Sequence, residues 1–223
     1  MIKAAFFDFN GTLFFDHDIN HIAWQQTISE ISDNKIDFEN FYKQYKSVMN
    51  YIVIEDAFKL INKPYTKQKI NYWVEEKEIK YRDYGIKHNR CHMPNGAIEL
   101  LNYLKENNIP RILCTSSVTS NVNYYYEQFN LSNWFDREQT VYDTGEYSNK
   151  TAMYKECAKR LNVKPEEAIV FEDSPKSIKE AIDAGCKTVI ALKRDDTPDY
   201  KEIKQTISDY TQFDYSILKQ NTL

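Results

Sequence analysis

No apolar run in the 223-residue sequence approaches the roughly 18–20 residues of a membrane span, so no membrane partner is expected. Basic charge is not in excess either. The formal net charge is -4, with a pI near 5.7, and this leaves no concentrated basic surface to hold nucleic acid. Cys91, Cys114, Cys157 and Cys186 are irregularly spaced and form no CxxC pair. That pattern suits reduced thiols in a cytoplasmic protein better than a disulfide framework or a zinc site. The opening residues, MIKAAFFDFNG, lack the charged, apolar and small-residue regions of a signal peptide and read as a strand. Glycine is absent between Thr12 and Gly85, which favours helices with few tight turns. No repeat or low-complexity segment is present.

Hydrophobic residues make up 42% of the chain, enough for a sizeable core, and charged residues 28%, as in soluble proteins. The histidines fall in two i,i+4 pairs, His17 with His21 and His88 with His92. This is a metal-ligand spacing, but without a further motif the better reading is polar residues at helix ends or linkers.

Short apolar runs bounded by turn signals alternate with helical patterns. Ile2–Phe7, Arg111–Thr115, Gln139–Tyr142, Ala168–Phe171 and Lys187–Leu192 read as strands, and Ile98–Leu104, Met153–Leu161 and Ser177–Ala184 as helices between them. This alternation predicts βαβ crossovers and a mostly parallel, doubly wound α/β sheet. A site in such a sheet lies just beyond the carboxyl ends of the strands. From about Asp16 to His88 the pattern changes to amphipathic helices alone, over Ile19–Ile31, Phe38–Tyr51, Ile54–Leu60 and Lys67–Tyr84. The stretch reads as a helical insertion with linkers near 14–18 and 86–93. After Pro198 a final helix is expected.

The chemistry-bearing residues cluster after the strands. Asp8 ends the first one, in FFDFNGTL, where Gly11 permits a sharp turn close to an anion. An aspartate there can attack phosphorus, splitting one hard displacement into two easier steps. Asp173 and Glu172 follow the AIVF strand; with Asp8 they make a hard oxygen site suited to Mg²⁺. Ser174 and Pro175 then start a helix whose N-terminus adds positive potential. Thr115 and Ser116, in RILCTSS, offer a hydroxyl and backbone N–H groups to phosphate oxygens. Lys150 lies before a helix and can place a point charge on the phosphate and the attacking carboxylate. Taken singly, most of these residues are as easily caps or surface charges.

In this order the four segments resemble the motifs of the haloacid dehalogenase superfamily over nearly the whole chain. FFDFNGTLF is similar to its first motif (Asp-x-Asp-Gly-Thr), LCTSS to the second, and VFEDSPKSIKEAIDAGCKTVIAL to the fourth and its sequel. Lys150 falls where the third motif's lysine belongs, without the usual Lys-Pro-x-Pro lead. The helical insert resembles the first cap type, and MPNGAIELLNYLKENNIP resembles the way the core resumes after it. The resemblance implies a three-layer, Rossmann-like core of residues 1–15 and 89–223 with strand order 3-2-1-4-5. It implies a helical cap over 16–88 that opens and closes, and a cytoplasmic monomer, with a dimer as the alternative.

The implied activity is Mg²⁺-dependent hydrolysis of a small phosphorylated metabolite through an aspartyl-phosphate at Asp8. Asp8, the Asn10 carbonyl and Asp173 would bind Mg²⁺ with Glu172 in support, while Thr115, Ser116 and Lys150 hold the phosphoryl group. The departure is Asn10, which stands where the family has its acid–base aspartate. An amide can neither donate nor accept the proton as that acid does, at a typical loss of about 10²–10⁴ in rate. Several readings stay open. They are a slow phosphatase favouring acyl or aryl phosphates, a proton supplied by His17 or His21, and deamidation at Asn10-Gly11. The others are a trapped variant and a ligand-binding relative without turnover. A sugar-phosphate mutase fits less well, because it needs acid–base exchange and a cationic clamp. The cap has only Arg82 as an arginine, besides lysines such as Lys43, Lys46 and Lys59.

Overall fold

The computed structural model describes residues 2–45 and 49–219. Its chain divides into two compact units, one of Met1–Phe15 with Cys91–Leu223 and one of Asp16–Arg90. The first contains a sheet of strands β1 (Ala4–Phe7), β2 (Arg111–Thr115), β3 (Val141–Tyr142), β4 (Ala168–Glu172), β5 (Thr188–Leu192) and β6 (Ile203–Ile207). The order is β3-β2-β1-β4-β5-β6, and every neighbouring pair is parallel. The expected order 3-2-1-4-5 is present, extended at one edge by β6.

Both faces of the central strands are covered, which is why they read as continuous apolar runs. All of β1, β4 and β5 is buried. Successive side chains point to opposite faces. Phe6 stacks on Tyr154 on one side, while Phe7 stacks on Phe171 at 4.5 Å and meets Phe135 edge-on at 5.7 Å on the other. The Phe6 face is closed by Tyr154, Cys157, Ile178 and Ala181 from helices α7 (Lys150–Arg160) and α8 (Pro175–Asp183). Three of the cysteines, Cys114, Cys157 and Cys186, are free and buried there.

The tail differs from its expected helix. After Pro198 the chain forms strand β6 and two short 3₁₀ turns, Tyr210–Gln212 and Tyr215–Lys219. The reason lies in β6 itself, which pairs along one edge and buries only Ile207, with Ile203 and Gln205 half-buried and Lys204 and Thr206 exposed, so it carries little apolar signal. The first turn packs against Gly96, which precedes helix α5 (Ala97–Glu106) with φ +79°. A Cβ at position 96 would lie 2.5 Å from the Thr211 nitrogen and 2.6 Å from the Tyr210 carbonyl carbon. Gly96→Ala is therefore expected to destabilise the protein by more than about 1 kcal/mol, read from the midpoint of urea unfolding. An unchanged midpoint would mean that this backbone contact is not held.

The second unit is helical, with α1 (His17–Ser32), α2 (Phe38–Tyr42), α3 (Asn50–Leu60) and α4 (Lys67–Lys87) around Trp24, Ile28, Phe41, Ile54, Phe58 and Ile70. The helix expected over Phe38–Tyr51 is not continuous: α2 ends at Tyr42 and Tyr51 belongs to α3, while residues 46–48, including Lys46, lie outside the described residues. His17 opens α1, His21 pairs with Glu39 at 3.0 Å, and His88 caps α4. Lys43 bonds Asn40, Lys59 pairs with Asp56 at 2.8 Å and Arg82 with Glu75 at 2.8 Å. Inside the unit the Lys77 ammonium pairs with Glu78 at 3.0 Å, between the rings of Trp24 and Tyr81. No helix among the described residues is long and apolar enough to cross a membrane.

Candidate active site

Parallel pairing brings the carboxyl ends of β1, β2, β4 and β5 to one edge, and the polar residues of this unit gather there. Asp8 follows β1, Glu172 ends β4, Asp173 comes next, and Lys150 begins α7, whose N-cap Asn149 accepts from the Ala152 N–H at 3.0 Å. The Lys150 ammonium donates to Asp8 Oδ1 at 2.6 Å and to Glu172 Oε1. The four side chains Asp8, Lys150, Glu172 and Asp173 are all buried.

Glu172 is committed on every side. Its Oε1 accepts from Lys150 and from the Tyr154 hydroxyl at 3.0 Å, and its Oε2 from the N–H groups of Asp173 at 2.8 Å and Ser174 at 3.0 Å. It thereby ties the entry of α8 to the start of α7. At Asp173, Arg194, just past β5, donates to Oδ2 at 2.8 Å. The Thr12 hydroxyl lies 3.3 Å from Asp8 Oδ2 and 3.5 Å from Asp173 Oδ1.

One oxygen from each of Asp8, Glu172 and Asp173 lies within 4.8 Å of the others. Burial raises the Asp8 carboxyl most; Lys150 opposes this, Glu172 and Asp173 add to it, and the pKa stands well above the ordinary aspartate range. Asp173 is also raised, by burial and then by Glu172, against the pull of Arg194. For Lys150 burial acts downward, but Asp8 and Glu172 outweigh it and hold the ammonium above its usual range. Three acids thus face the cations Lys150 and Arg194, and two of the acids remain hard to ionise. That deficit of positive charge, in an all-oxygen donor set, fits a divalent cation such as Mg²⁺.

A raised carboxyl pKa means that the fold is favoured below the unfolded value and loses that advantage as pH rises through the raised range. A cation reverses this, because it needs the ionised forms. Millimolar Mg²⁺ is expected to raise the melting temperature by several degrees at pH 7.5, for about 2–3 kcal/mol of linkage, and by much less at pH 5. Equal shifts at both pH values, followed by differential scanning fluorimetry against EDTA, would remove the carboxylate cluster as the binding site.

Asn10 and the second-strand residues form a neighbouring group. Thr115, at the end of β2, donates its hydroxyl to Ser117 Oγ at 3.2 Å and accepts from the Ser117 N–H at 3.2 Å. Ser117 Oγ donates to Asn10 Oδ1 at 2.8 Å, and Asn10 Nδ2 donates to the Tyr125 hydroxyl at 2.9 Å. Ser116 is exposed just past β2. Asp8, Glu172, Asp173 and Lys150 are therefore brought together directly. Thr115 reaches Asn10 through Ser117, and among the described residues no side-chain hydrogen bond joins Ser116 to the acids. The sequence reading missed Thr12, Ser117, Tyr125, Tyr154 and Arg194. Thr12 lies inside the first motif and was within reach; Tyr125 and Tyr154 look like ordinary residues of helix faces, with nothing local to distinguish them.

Residues 2–185 match the haloacid dehalogenase-like hydrolase family. A Saccharomyces cerevisiae protein described as a probable pseudouridine-5'-phosphatase is 26% identical over 193 residues, which cover 81% of this chain and 78% of that protein. The crystal structure of a HAD hydrolase, family IA, variant 3, from Entamoeba histolytica superposes with TM-score 0.86 at 28% identity, covering 97% of each chain. Beta-phosphoglucomutase from Clostridium difficile superposes with TM-score 0.77, covering 98% of this chain and 96% of that one. At 22% identity the last likeness speaks to the fold alone.

Proposed function

The chain belongs to the haloacid dehalogenase-like hydrolase family, and from that premise we propose that it is a Mg²⁺-dependent phosphatase of small phosphorylated metabolites with Asp8 as its nucleophile. The observation that carries this reading is the Asp8 carboxylate, buried beside Glu172 and Asp173 and held 2.6 Å from Lys150 at the carboxyl ends of parallel strands. A structural ion pair needs no second and third acid beside it, whereas acids gathered around a fixed nucleophile suit a cation that bears on a transferring phosphoryl group.

Asp8 would attack phosphorus, forming an acyl phosphate as the ester P–O bond breaks and the leaving oxygen departs as an anion that takes its proton from solvent; water would then cleave the acyl phosphate, giving inorganic phosphate and returning the Asp8 carboxylate. Lys150 orients the attacking carboxylate and, with Thr115 and Ser116, bears on the oxygens of the transferring group. The Thr12 hydroxyl, close to both Asp8 and Asp173, limits their rotation. Asp8, the Asn10 carbonyl and Asp173 would hold Mg²⁺, with Glu172 in support, and the cation supplies charge neutralisation for the acids and the phosphoryl oxygens. The helical unit is assigned the family's cap role, selection of substrate.

A second reading has one observation in its favour. Asn10 offers no proton to the leaving oxygen, so the same pocket suits a phosphate-ligand-binding protein without turnover. Hydrolysis of p-nitrophenyl phosphate with Mg²⁺ separates the two, with mass mapping of residues 1–16 to exclude deamidation. Release of p-nitrophenol by undeamidated protein supports the phosphatase. A panel of nucleoside 5'-monophosphates, with pseudouridine 5'-phosphate among them, is the natural first substrate screen given the yeast relative.

A further inference from the structure

Fully buried tyrosines reach the site from neighbouring helices, Tyr125 from α6 (Thr119–Gln128) and Tyr154 from α7. Tyr154 meets the acids directly. It stands one helical turn after Lys150, on the same face of α7. Both side chains reach a single atom: Glu172 Oε1 accepts from the Tyr154 hydroxyl at 3.0 Å and from the Lys150 ammonium. The phenol is held in place by its ring, which stacks on Phe6 of β1 with 6.5 Å between centroids and 14° between planes.

A carboxylate offers about four lone-pair positions. At Glu172 they are filled by Lys150, Tyr154 and the backbone N–H groups of Asp173 and Ser174. The two N–H groups fix Oε2 to the entry of α8, so the remaining play lies at Oε1, which two donors share. Lys150 is shared in turn, since the same ammonium donates to Asp8 Oδ1 at 2.6 Å. Where the ammonium rests depends on how strongly each carboxylate draws it. An oxygen that already accepts one hydrogen bond draws a second donor less, because the first proton offsets part of its negative charge. The Tyr154 hydroxyl therefore weakens the pull of Glu172 on Lys150 and keeps the ammonium on Asp8. Without that hydroxyl, Glu172 Oε1 has Lys150 alone to satisfy it, and the ammonium is drawn away from Asp8.

We propose that Tyr154 is a positioning residue for phosphoryl transfer: by occupying Glu172 Oε1, it holds the Lys150 ammonium against the Asp8 carboxylate. This rests on the phosphatase reading above. Tyr154 itself, fully buried, acts only through Glu172 and Lys150.

Tyr154→Phe keeps the stacked ring and removes only the hydroxyl. It should lower kcat for p-nitrophenyl phosphate with Mg²⁺ by about 10–100-fold and leave KM within about twofold, because the attacking carboxylate is misplaced while the substrate contacts remain. A second readout needs no turnover. The Lys150 ammonium, identified in a ¹H–¹⁵N spectrum by its loss in Lys150→Arg, should be protected from solvent exchange in the native metal-free protein and should change its chemical shift in Tyr154→Phe. Cys157→Ala, which loosens the packing of the same helix without touching Glu172, should leave that signal in place. Should Tyr154→Phe fail to fold, Tyr154→Met, an adaptable apolar side chain without a hydroxyl, takes its place. An unchanged kcat, an unprotected native ammonium, or an ammonium signal that ignores the loss of the hydroxyl would overturn the positioning role. Equal movement of that signal in Cys157→Ala would reduce the effect to packing and overturn it as well. Native protein that neither releases p-nitrophenol nor accepts phosphate on Asp8 would overturn the phosphatase reading and the role in transfer with it; the spectrum would still decide whether Tyr154 sets the place of Lys150.

Discussion

Asp8→Asn is expected to abolish p-nitrophenyl phosphate hydrolysis, with a fall on the order of 10⁴-fold or more, as for removal of other covalent nucleophiles. The substitution is nearly isosteric and removes charge from the most crowded part of the site. Asp8 is the acid that burial and its neighbours disfavour as a carboxylate, while Lys150 keeps its second partner, Glu172. The metal-free variant should therefore melt no lower than the native protein at pH 7.5. Lost turnover with retained stability separates a missing nucleophile from a damaged fold. Activity surviving within about tenfold would remove Asp8 from the nucleophile's position.

Asn10→Asp carries the second large effect, in the opposite direction. A carboxyl group of almost the same shape can occupy the same place, accepting from Ser117 and Tyr125. It supplies the proton that an alcohol leaving group requires and the base that activates water, so turnover should rise by about 10²–10⁴. The gain should be largest with alkyl phosphates and smallest with aryl phosphates, whose leaving groups depart without help. Equal rates for the native protein and the variant on an alkyl phosphate would mean that another group moves the proton. His17 and His21 are the first residues to replace in that event.

Much of this architecture could be read from residue types because parallel sheets leave a plain signature. The run AAFF and the run AIVF are apolar throughout, being covered on both faces, and an acid directly follows each. Lys150 was identified by its place in the order of motifs, and its two carboxylate partners come from positions 142 and 22 residues away. The edge strand β6 escaped because only its last residue, Ile207, is buried, and IKQTI is too polar to stand out. Arg194 was missed because nothing in the KRDD sequence distinguishes it from any charged turn. Only the pairing of β4 with β5 brings it 2.8 Å from Asp173. The group of Asn10 with Ser117 and Tyr125 was missed for the same reason: three side chains meet across 115 residues of chain, and no local pattern encodes that meeting.

The central position of β1 has a consequence for the order in which the molecule is made. Its hydrogen-bonding partners begin at Arg111 on one side and Ala168 on the other. β1 is therefore made before either of its partners, and its apolar side chains wait until both have been synthesised. Residues 16–90, whose helices contact one another locally, can fold during that interval. Nascent chains halted before Phe171 should accordingly hold a folded helical unit and an aggregation-prone β1 not yet paired with β4, and Asp8 at its carboxyl end should meet Glu172 and Asp173 only after release.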